Sequence, residues 1–337
     1  MDSTTILNKL VESKELNSQE INFFLSNLIE GKINPVRGGA ILTALRIKGE
    51  TANEIIELIR GIRKNMIRIY VDQAIDVCGT GGDNSGSFNV STATAFVTAG
   101  AGVKVAKHGG RAVSSQSGSA DVLEELGVNI NLTPQRAELV FYKVGMVFLF
   151  APLFHPALKN ISLIRKELKI RTVFNLLGPF VNPTSVERQL IGVPNAEIAS
   201  KLAKVAKKLS YKRLLIVTSE DGMDEVSIHS KTIVFEINNM SVKKSIINPQ
   251  DFGFKKINKK QILGGTANDN AQIIKNILNG EKGPHRDLVV FNSAFALYTT
   301  GAVNNLREGI LLAEKSIDSG KAKQVLENLI KETQKYE

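Results

Sequence analysis

Residues 76–95 read Asp76-Val-Cys-Gly79-Thr-Gly81-Gly82-Asp83-Asn-Ser-Gly86-Ser87-Phe-Asn89-Val90-Ser91-Thr92-Ala-Thr-Ala95. A short apolar strand runs into four glycines, and a helix of small residues begins near Asn89. Glycines let backbone N–H groups approach an anion closely, and the free N–H groups of a helix start attract negative charge. The segment is a place to hold phosphate. Its spacing matches neither G-x-x-x-x-G-K-[ST] nor G-x-G-x-x-G, so ordinary P-loop and dinucleotide-binding assignments lose support.

Outward from this segment the chain alternates. Residues 103–106, 128–132, 147–150, 214–217 and 233–237 are strand-sized apolar runs, several of them separated by helical segments, and they predict an α/β sheet. Thr133 followed by Pro134 marks a helix start, with Gly127 and Gly145 as punctuation. Residues 1–70 instead show helical spacing throughout. Ile6, Leu7, Leu10 and Val11 form one apolar face, and Asn17 with Glu20 makes a capping box. A third helix follows Pro35, and Thr51 with Glu54 caps a fourth that carries Ile55, Ile56, Ile59 and Ile62. Helix returns from Asp287 onward.

Composition narrows the partners. The 337 residues carry 43 Lys plus Arg against 33 Asp plus Glu, a net charge of +10 that favours anions by long-range attraction. A single cysteine, Cys78, excludes an intrachain disulfide framework and any cysteine-based metal cluster, which suits a reducing, cytoplasmic setting. Residues 1–10 lack a secretory layout, and no apolar run approaches the roughly 18–20 residues that would span a bilayer. The lysine-rich pieces at 204–208 and 255–260 read as solvated faces.

Two further segments carry chemistry. Lys107-His-Gly-Gly-Arg-Ala-Val-Ser-Ser-Gln-Ser-Gly-Ser-Ala-Asp121 follows a strand, at the edge where open α/β sheets place ligands. Lys107 and Arg111 suit phosphate charge, while Ser114, Ser115, Ser117 and Ser119 offer hydrogen bonds to its oxygens. Farther on, Ser219-Glu-Asp-Gly-Met-Asp224-Glu225-Val-Ser227 follows another strand. Neighbouring carboxylates repel, and a divalent cation relieves the repulsion; Mg²⁺ typically uses one or two carboxylates plus phosphates and water.

At these positions the chain resembles the anthranilate phosphoribosyltransferases, of the nucleoside-phosphorylase-like phosphoribosyltransferase class. The likeness is carried by Gly79-Thr-Gly-Gly-Asp83, Asn89-Val-Ser-Thr92, Lys107-His-Gly with Arg111 and Ser114-Ser115, Ser117-Gly-Ser-Ala-Asp121 and His155-Pro156. It continues through Arg165-Lys-Glu-Leu168, the stretch from Arg171-Thr172 to Gly178-Pro179, and Met223-Asp-Glu-Val226. It implies a small all-helical domain over 1–70, completed by a returning segment near 165–185. A larger α/β domain over 71–337 would hold a central, mostly parallel sheet flanked by helices. The implied reaction moves the phosphoribosyl group of 5-phosphoribosyl 1-diphosphate (PRPP) to the amine of anthranilate with Mg²⁺, releasing diphosphate, in tryptophan biosynthesis. The implied assembly is a homodimer through the helical domain.

The resemblance also assigns residues. PRPP would be held by Gly79, Gly82, Asp83, Ser87, Asn89, Val90, Ser91 and Thr92, and by the stretch Lys107, His108, Gly109, Gly110, Arg111, Ala112, Val113, Ser114 and Ser115 with Ser119. Mg²⁺ would fall to Ser91, Asp224 and Glu225. Anthranilate would meet Gly79, His108, Gly110, Arg165, Gly178 and Pro179, with Lys107, His108 and Arg165 as the catalytic set. Family members commonly read Lys-His-Gly-Asn-Arg where this chain has Gly110, which removes a side-chain donor and acceptor from the acceptor pocket. Two other readings stand beside this one. A pyrimidine nucleoside phosphorylase of the same superfamily shares the Lys-His-Gly-Gly pattern. A nucleic-acid-binding relative without turnover would use the +10 charge, although 6% aromatic residues and no tryptophan argue against stacking platforms.

Overall fold

The computed structural model describes residues 1–83, 85–112 and 116–335. Helices α1 (Ser3–Val11), α2 (Ser18–Ile29), α3 (Pro35–Lys48) and α4 (Ala52–Asn65) open the chain. Their starts are set by side chains. Asp2 accepts the Thr4 and Thr5 amides at 2.8 Å each, and the Asn17–Glu20 and Thr51–Glu54 boxes both close. Glu54 does more than cap. Fully buried, it also accepts the Leu16 amide at 2.9 Å and pairs with Lys48 at 2.8 Å, which ties α3, α4 and the turn before α2 together.

A seven-stranded sheet follows: β1 (Ile75–Gly79), β2 (Val105–Gly109), β3 (Met146–Phe150), β4 (Arg188–Gly192), β5 (Arg213–Ser219), β6 (Thr232–Asn238) and β7 (Ser241–Ile247). The spatial order is β3-β2-β1-β4-β5-β6-β7, parallel through β5 and antiparallel for the last two. Helix α5 (Val90–Gly100) joins β1 to β2, and α6 (Ser119–Glu125) and α7 (Pro134–Val144) lead to β3. Next come α8 (Ala151–Phe154), α9 (Lys159–Leu168) and α10 (Phe174–Leu177) before β4, then α11 (Ala196–Lys207) before β5. The chain closes with α12 (Ala267–Leu278), α13 (Pro284–Thr300), α14 (Leu306–Asp318) and α15 (Lys321–Gln334). Successive strands leave β1 to one side and β4 to the other, so the winding reverses between them. Their carboxyl ends, where Gly79 pairs with Gly192, form the crevice in which open α/β sheets bind ligands.

The two sheet faces feed two cores. One buries Phe96, Phe141, Phe291 and Phe295 under α5, α7 and α13. The other joins Ile191, Leu214 and Ile216 of the sheet to Phe24, Leu25, Ile55 and Ile59 of the opening helices. The helical unit therefore shares its core with the sheet. α9 packs back on α2 and α3, and α10 on α4, so the returning piece begins at Lys159, where Ile161 and Ile164 supply its buried face.

Three expectations change. Residues 128–132 bury Val128, Ile130 and Leu132 in strand-like alternation but pair with no strand; the Asn129 amide bonds to Thr333 Oγ1 at 3.2 Å and the Asn131 amide to Asn129 Oδ1 at 2.9 Å. Strands β4 and β7 escape the sequence pattern, because Arg188 and Gln189 interrupt the apolar run of one and β7 is mostly exposed. The closing helices begin at Ala267, ahead of Asp287. Among the described residues no helix is long and apolar enough to cross a membrane.

Candidate active site

The loop after β1 is set by its contacts on both flanks. The Thr80 amide donates to the Gly192 carbonyl at 3.0 Å, and the Gly81 amide to the Asp224 carboxylate at 2.8 Å. Gly81 and Gly82 have φ of +64° and +72°, where side chains are disfavoured and successive N–H groups line a concavity suited to an anion. No acceptor among the described residues takes the amide hydrogens of Gly82 or Asp83. Gly79 and Gly192 answer a different need. A Cβ on either would collide with Asp224, so the absence of side chains at the ends of β1 and β4 lets the 223–226 loop sit directly on the sheet edge.

Lys107 lies on β2 with only 2% exposure. Its Nζ donates to the Val77 carbonyl at 2.7 Å and to Ser91 Oγ at 3.1 Å, in the first turn of α5. Burial pulls its pKa down, and Asp76, Glu225 and Asp224 partly restore it. The carboxylates are strained the opposite way. Burial, then Asp83, pushes Asp224 up to about 7, while burial and Asp224 push Glu225 well above the usual carboxylate range. The Ser91 amide bonds to Glu225 and partly offsets this. Among the described residues no three His, Cys, Asp or Glu side chains form a ready metal cage. Mg²⁺ needs none, since phosphate and water complete its shell, and two crowded carboxylates without an ion-pair partner suit it.

Beside the loop is a polar lattice. Asn89 Oδ1 accepts from Ser117 Oγ at 3.0 Å and from Asn270 Nδ2 at 2.9 Å, and Asn270 also reaches Ser117 Oγ at 2.7 Å. The glycine loop is stitched to the segment before α12, through the bridge between Ser87 and Leu263 and the Gly264 amide on the Gly86 carbonyl at 2.8 Å. A cavity of about 450 Å³ opens here between Asp83, Ser87, Ser117 and Asn270. Thr92 is buried with its hydroxyl unpartnered, and Val90 is buried behind it. Ser119 lies close against Gly109.

Arg111 is engaged by the protein's own carboxylates. Its guanidinium is half exposed and engaged by Glu124 at 2.5 and 2.9 Å and by Asp121 at 2.9 Å, which leaves its charge neutralised by protein. Asp121 also gathers the Ala112 and Gly118 amides at 3.0 and 2.8 Å, which ties these two residues to the start of α6. Val113, Ser114 and Ser115 lie outside the described residues.

On the other side of β1 and β2 the returning segment supplies a second half. His108 and His155 pack ring against ring, tilted by 59° with centroids 5.1 Å apart. Burial holds both neutral, His108 down to about 3 with help from His155, and His155 down to about 4. Arg165 has its guanidinium 5.9 Å from the Phe174 ring, and no carboxylate among the described residues pairs with it. Burial, then Arg171, lowers its pKa. Gly110 and Gly178 both face open space where a Cβ would stand.

Sequence reasoning missed three residues that hold these halves in place. Asp76 is fully buried; it accepts from Asn182 at 2.9 Å, Gln189 at 3.1 Å and the His108 amide at 3.2 Å. Gln189 also donates to the Pro179 carbonyl at 2.6 Å, so one carboxylate ties β1 and β2 to the returning segment. Burial pushes Asp76 up to about 6 despite Lys107. The signal was present: a lone acid in an apolar strand requires partners. Asn270 and Arg171 are the others: Asn270 carries no local signature, and Arg171 stands in the 171–179 stretch that carries the family likeness, which assigns it no role.

Comparison with known proteins places this geometry. The a/b-domain model of a glycosyl transferase family matches residues 71–323, and the helical bundle-domain model of a glycosyl transferase family matches 4–66. An anthranilate phosphoribosyltransferase of Acetivibrio thermocellus is 47% identical over 332 residues, 98% of this chain and 96% of that protein. The anthranilate phosphoribosyltransferase of Thermus thermophilus superposes with a TM-score of 0.90 at 35% identity, over 99% of this chain and 100% of the other. That of Saccharomyces cerevisiae in complex with PRPP and Mg does so with 0.90 at 31% identity, over 99% and 98%.

Proposed function

Because this chain belongs to the anthranilate phosphoribosyltransferase family and transfers the phosphoribosyl group of PRPP to the amine of anthranilate with Mg²⁺, we propose the following division of labour among its residues. The Gly82 and Asp83 amides, without an acceptor among the described residues, receive diphosphate, and Gly79, Ser87, Asn89, Thr92, Lys107 and Ser119 line the rest of the donor. Ser91, Asp224 and Glu225 are the ligands for Mg²⁺, which when bound neutralises charge on the departing diphosphate. The observation that carries this reading is the crowded Asp224–Glu225 pair, with raised pKa values, packed against Gly79 and accepting the Gly81 amide of the glycine loop at 2.8 Å.

Breaking the ribose C1–oxygen bond builds positive charge on the sugar and negative charge on the leaving group. Lys107 is buried, so its charge acts in a poorly screened site and stabilises the leaving group far more than it would in water. An aromatic amine is neutral and already carries its lone pair, so attack needs positioning more than a strong base. Neutral His108 orients the acceptor, and the planar fork of Arg165 takes its carboxylate. The pocket wall at Gly178, Pro179 and Gly110 completes the acceptor side.

The assembly we propose is a homodimer through the helical unit. α1, α3 and α9 surround an apolar groove of about 1030 Å³, beside which Val36 is 83% and Ile47 81% exposed. A cytoplasmic setting accords with the lone Cys78, which lies within the fold. The direct test of the reaction follows loss of anthranilate fluorescence on adding PRPP, with and without Mg²⁺. The chain has no tryptophan to obscure that signal. Mg²⁺-dependent loss is expected, and a stable signal with phosphorolysis of pyrimidine nucleosides instead would favour the phosphorylase reading.

A further inference from the structure

The glycine loop has one contact that neither donor nor cation explains. Arg171 leaves the turn after α9 and directs its guanidinium at the loop: Nη1 donates to the Gly81 carbonyl at 2.6 Å and Nη2 to the Thr80 carbonyl at 3.3 Å. The same Nη1 occupies the space where a Cβ of residue 82 would stand, so Gly82 is glycine for contact as well as for φ. Arg171 has no ion-pair partner among the described residues. Asp224 lies on the opposite flank of the same loop, accepting the Gly81 N–H at 2.8 Å. Gly81 is thus held by a carboxylate on its amide and a guanidinium on its carbonyl.

The origin of the two grips matters. Asp224 belongs to the sheet edge, whereas Arg171 belongs to the returning segment that also carries Arg165 and packs with the opening helices. Moving the helical unit away from the sheet withdraws Arg171 from the loop. Turning the Gly81 backbone to admit or release an anion breaks the same bonds. A planar fork spanning two successive carbonyls is a geometry that an ammonium cannot reproduce.

Resting on the function proposed above, we infer that Arg171 is a positioning residue: it fixes the Thr80–Gly81–Gly82 backbone for diphosphate and couples that loop to the acceptor-binding segment. It touches backbone rather than substrate, so its loss falls on donor affinity. The experiment uses the full chain with Mg²⁺ and measures kcat and both KM values for Arg171→Ala and Arg171→Lys. It also measures PRPP binding by calorimetry and rescue by millimolar guanidine.

Two charge-assisted bonds to loop carbonyls give an expected rise of about tenfold or more in KM for PRPP for Arg171→Ala. kcat should stay within about threefold, guanidine should recover part of the loss, and Arg171→Lys should fall between alanine and the parent. If the alanine variant does not fold, the lysine variant with the same KM split carries the test. An unchanged KM for PRPP, or a loss confined to kcat and insensitive to guanidine, overturns the proposal while leaving the site assignment standing. A parent protein that binds no PRPP overturns both.

Discussion

The donor and acceptor halves proposed for this site are built on opposite principles. At the carboxyl ends of β1 and β4, charge is packed densely and left unbalanced: Asp83, Asp224 and Glu225 crowd together, Lys107 is buried, and the Gly82 and Asp83 amides have no acceptor among the described residues. Across β1 and β2, the acceptor half is electrically quiet. His108 and His155 are held neutral, and Arg165 is the one predicted acceptor contact that carries charge. The contrast matches the chemistry. A diphosphate and a cation arrive together to balance the first half, while an aromatic acid needs a shaped pocket and one fork in the second.

The largest break in that comparison should come from the donor half. Lys107→Met removes the buried charge facing the leaving group, and kcat/KM for PRPP is expected to fall on the order of 10²–10³-fold. Steady-state kinetics with saturating anthranilate measures this; a loss under about fivefold would mean that the charge is not used. Arg165→Ala tests the other half. Losing a bidentate carboxylate contact should raise KM for anthranilate roughly 10–100-fold, with KM for PRPP within about twofold. Equal rises in both would erase the division. The acceptor half should also be silent to pH between about 5 and 8, because His108 and His155 titrate far below the neutral range.

Stability sharpens the comparison next. The folded pKa of Asp224, about 7, lies above the ordinary 3.8, so its contribution is complete below about pH 4 and is lost as pH rises through 7. Without Mg²⁺, Asp224→Asn should therefore melt a few degrees higher than the parent at about pH 8 and at the same temperature near pH 4. Adding Mg²⁺ and PRPP at about pH 8 should reverse the order, since only the parent gains the full binding energy. Melting curves across pH decide it.

How much of this the sequence disclosed follows from the same division. The donor half is written locally, as glycines, a hydroxyl-bearing helix start and an acidic doublet, each following its own strand. The sheet edge then brings the pieces together without further instruction. What stayed hidden acts at long range. Arg171 binds a carbonyl 90 residues away and Asn270 reaches Asn89 across 181 residues, and nothing in the sequence near either announces a backbone or amide partner. Strand β4 is hard to read because Gln189, the residue that spoils its apolar pattern, is the one that serves Asp76. The Arg111 pairs with Glu124 and Asp121 were equally hidden, because partners 10 and 13 residues on are not announced by its own segment.

The smallest effect expected is at Gly110. No described residue lies within 4 Å of where its Cβ would stand, so Gly110→Asn fits without displacing any of them. The amide should lower KM for anthranilate by a few-fold and leave KM for PRPP unaltered. An unchanged or higher KM for anthranilate would remove this position from the acceptor wall.

The central claim is that the crowded carboxylates at the switch point hold the cation that accompanies PRPP. Calorimetric titration of preformed Mg²⁺–PRPP near pH 7, repeated in buffers of different ionisation enthalpy, tests it most directly. Binding should depend on Mg²⁺ and release protons as Asp224 and Glu225 ionise, and Asp224→Asn should reduce that release. PRPP binding that is equally strong in a metal chelator, with the same proton balance in the parent and the variant, would contradict the account.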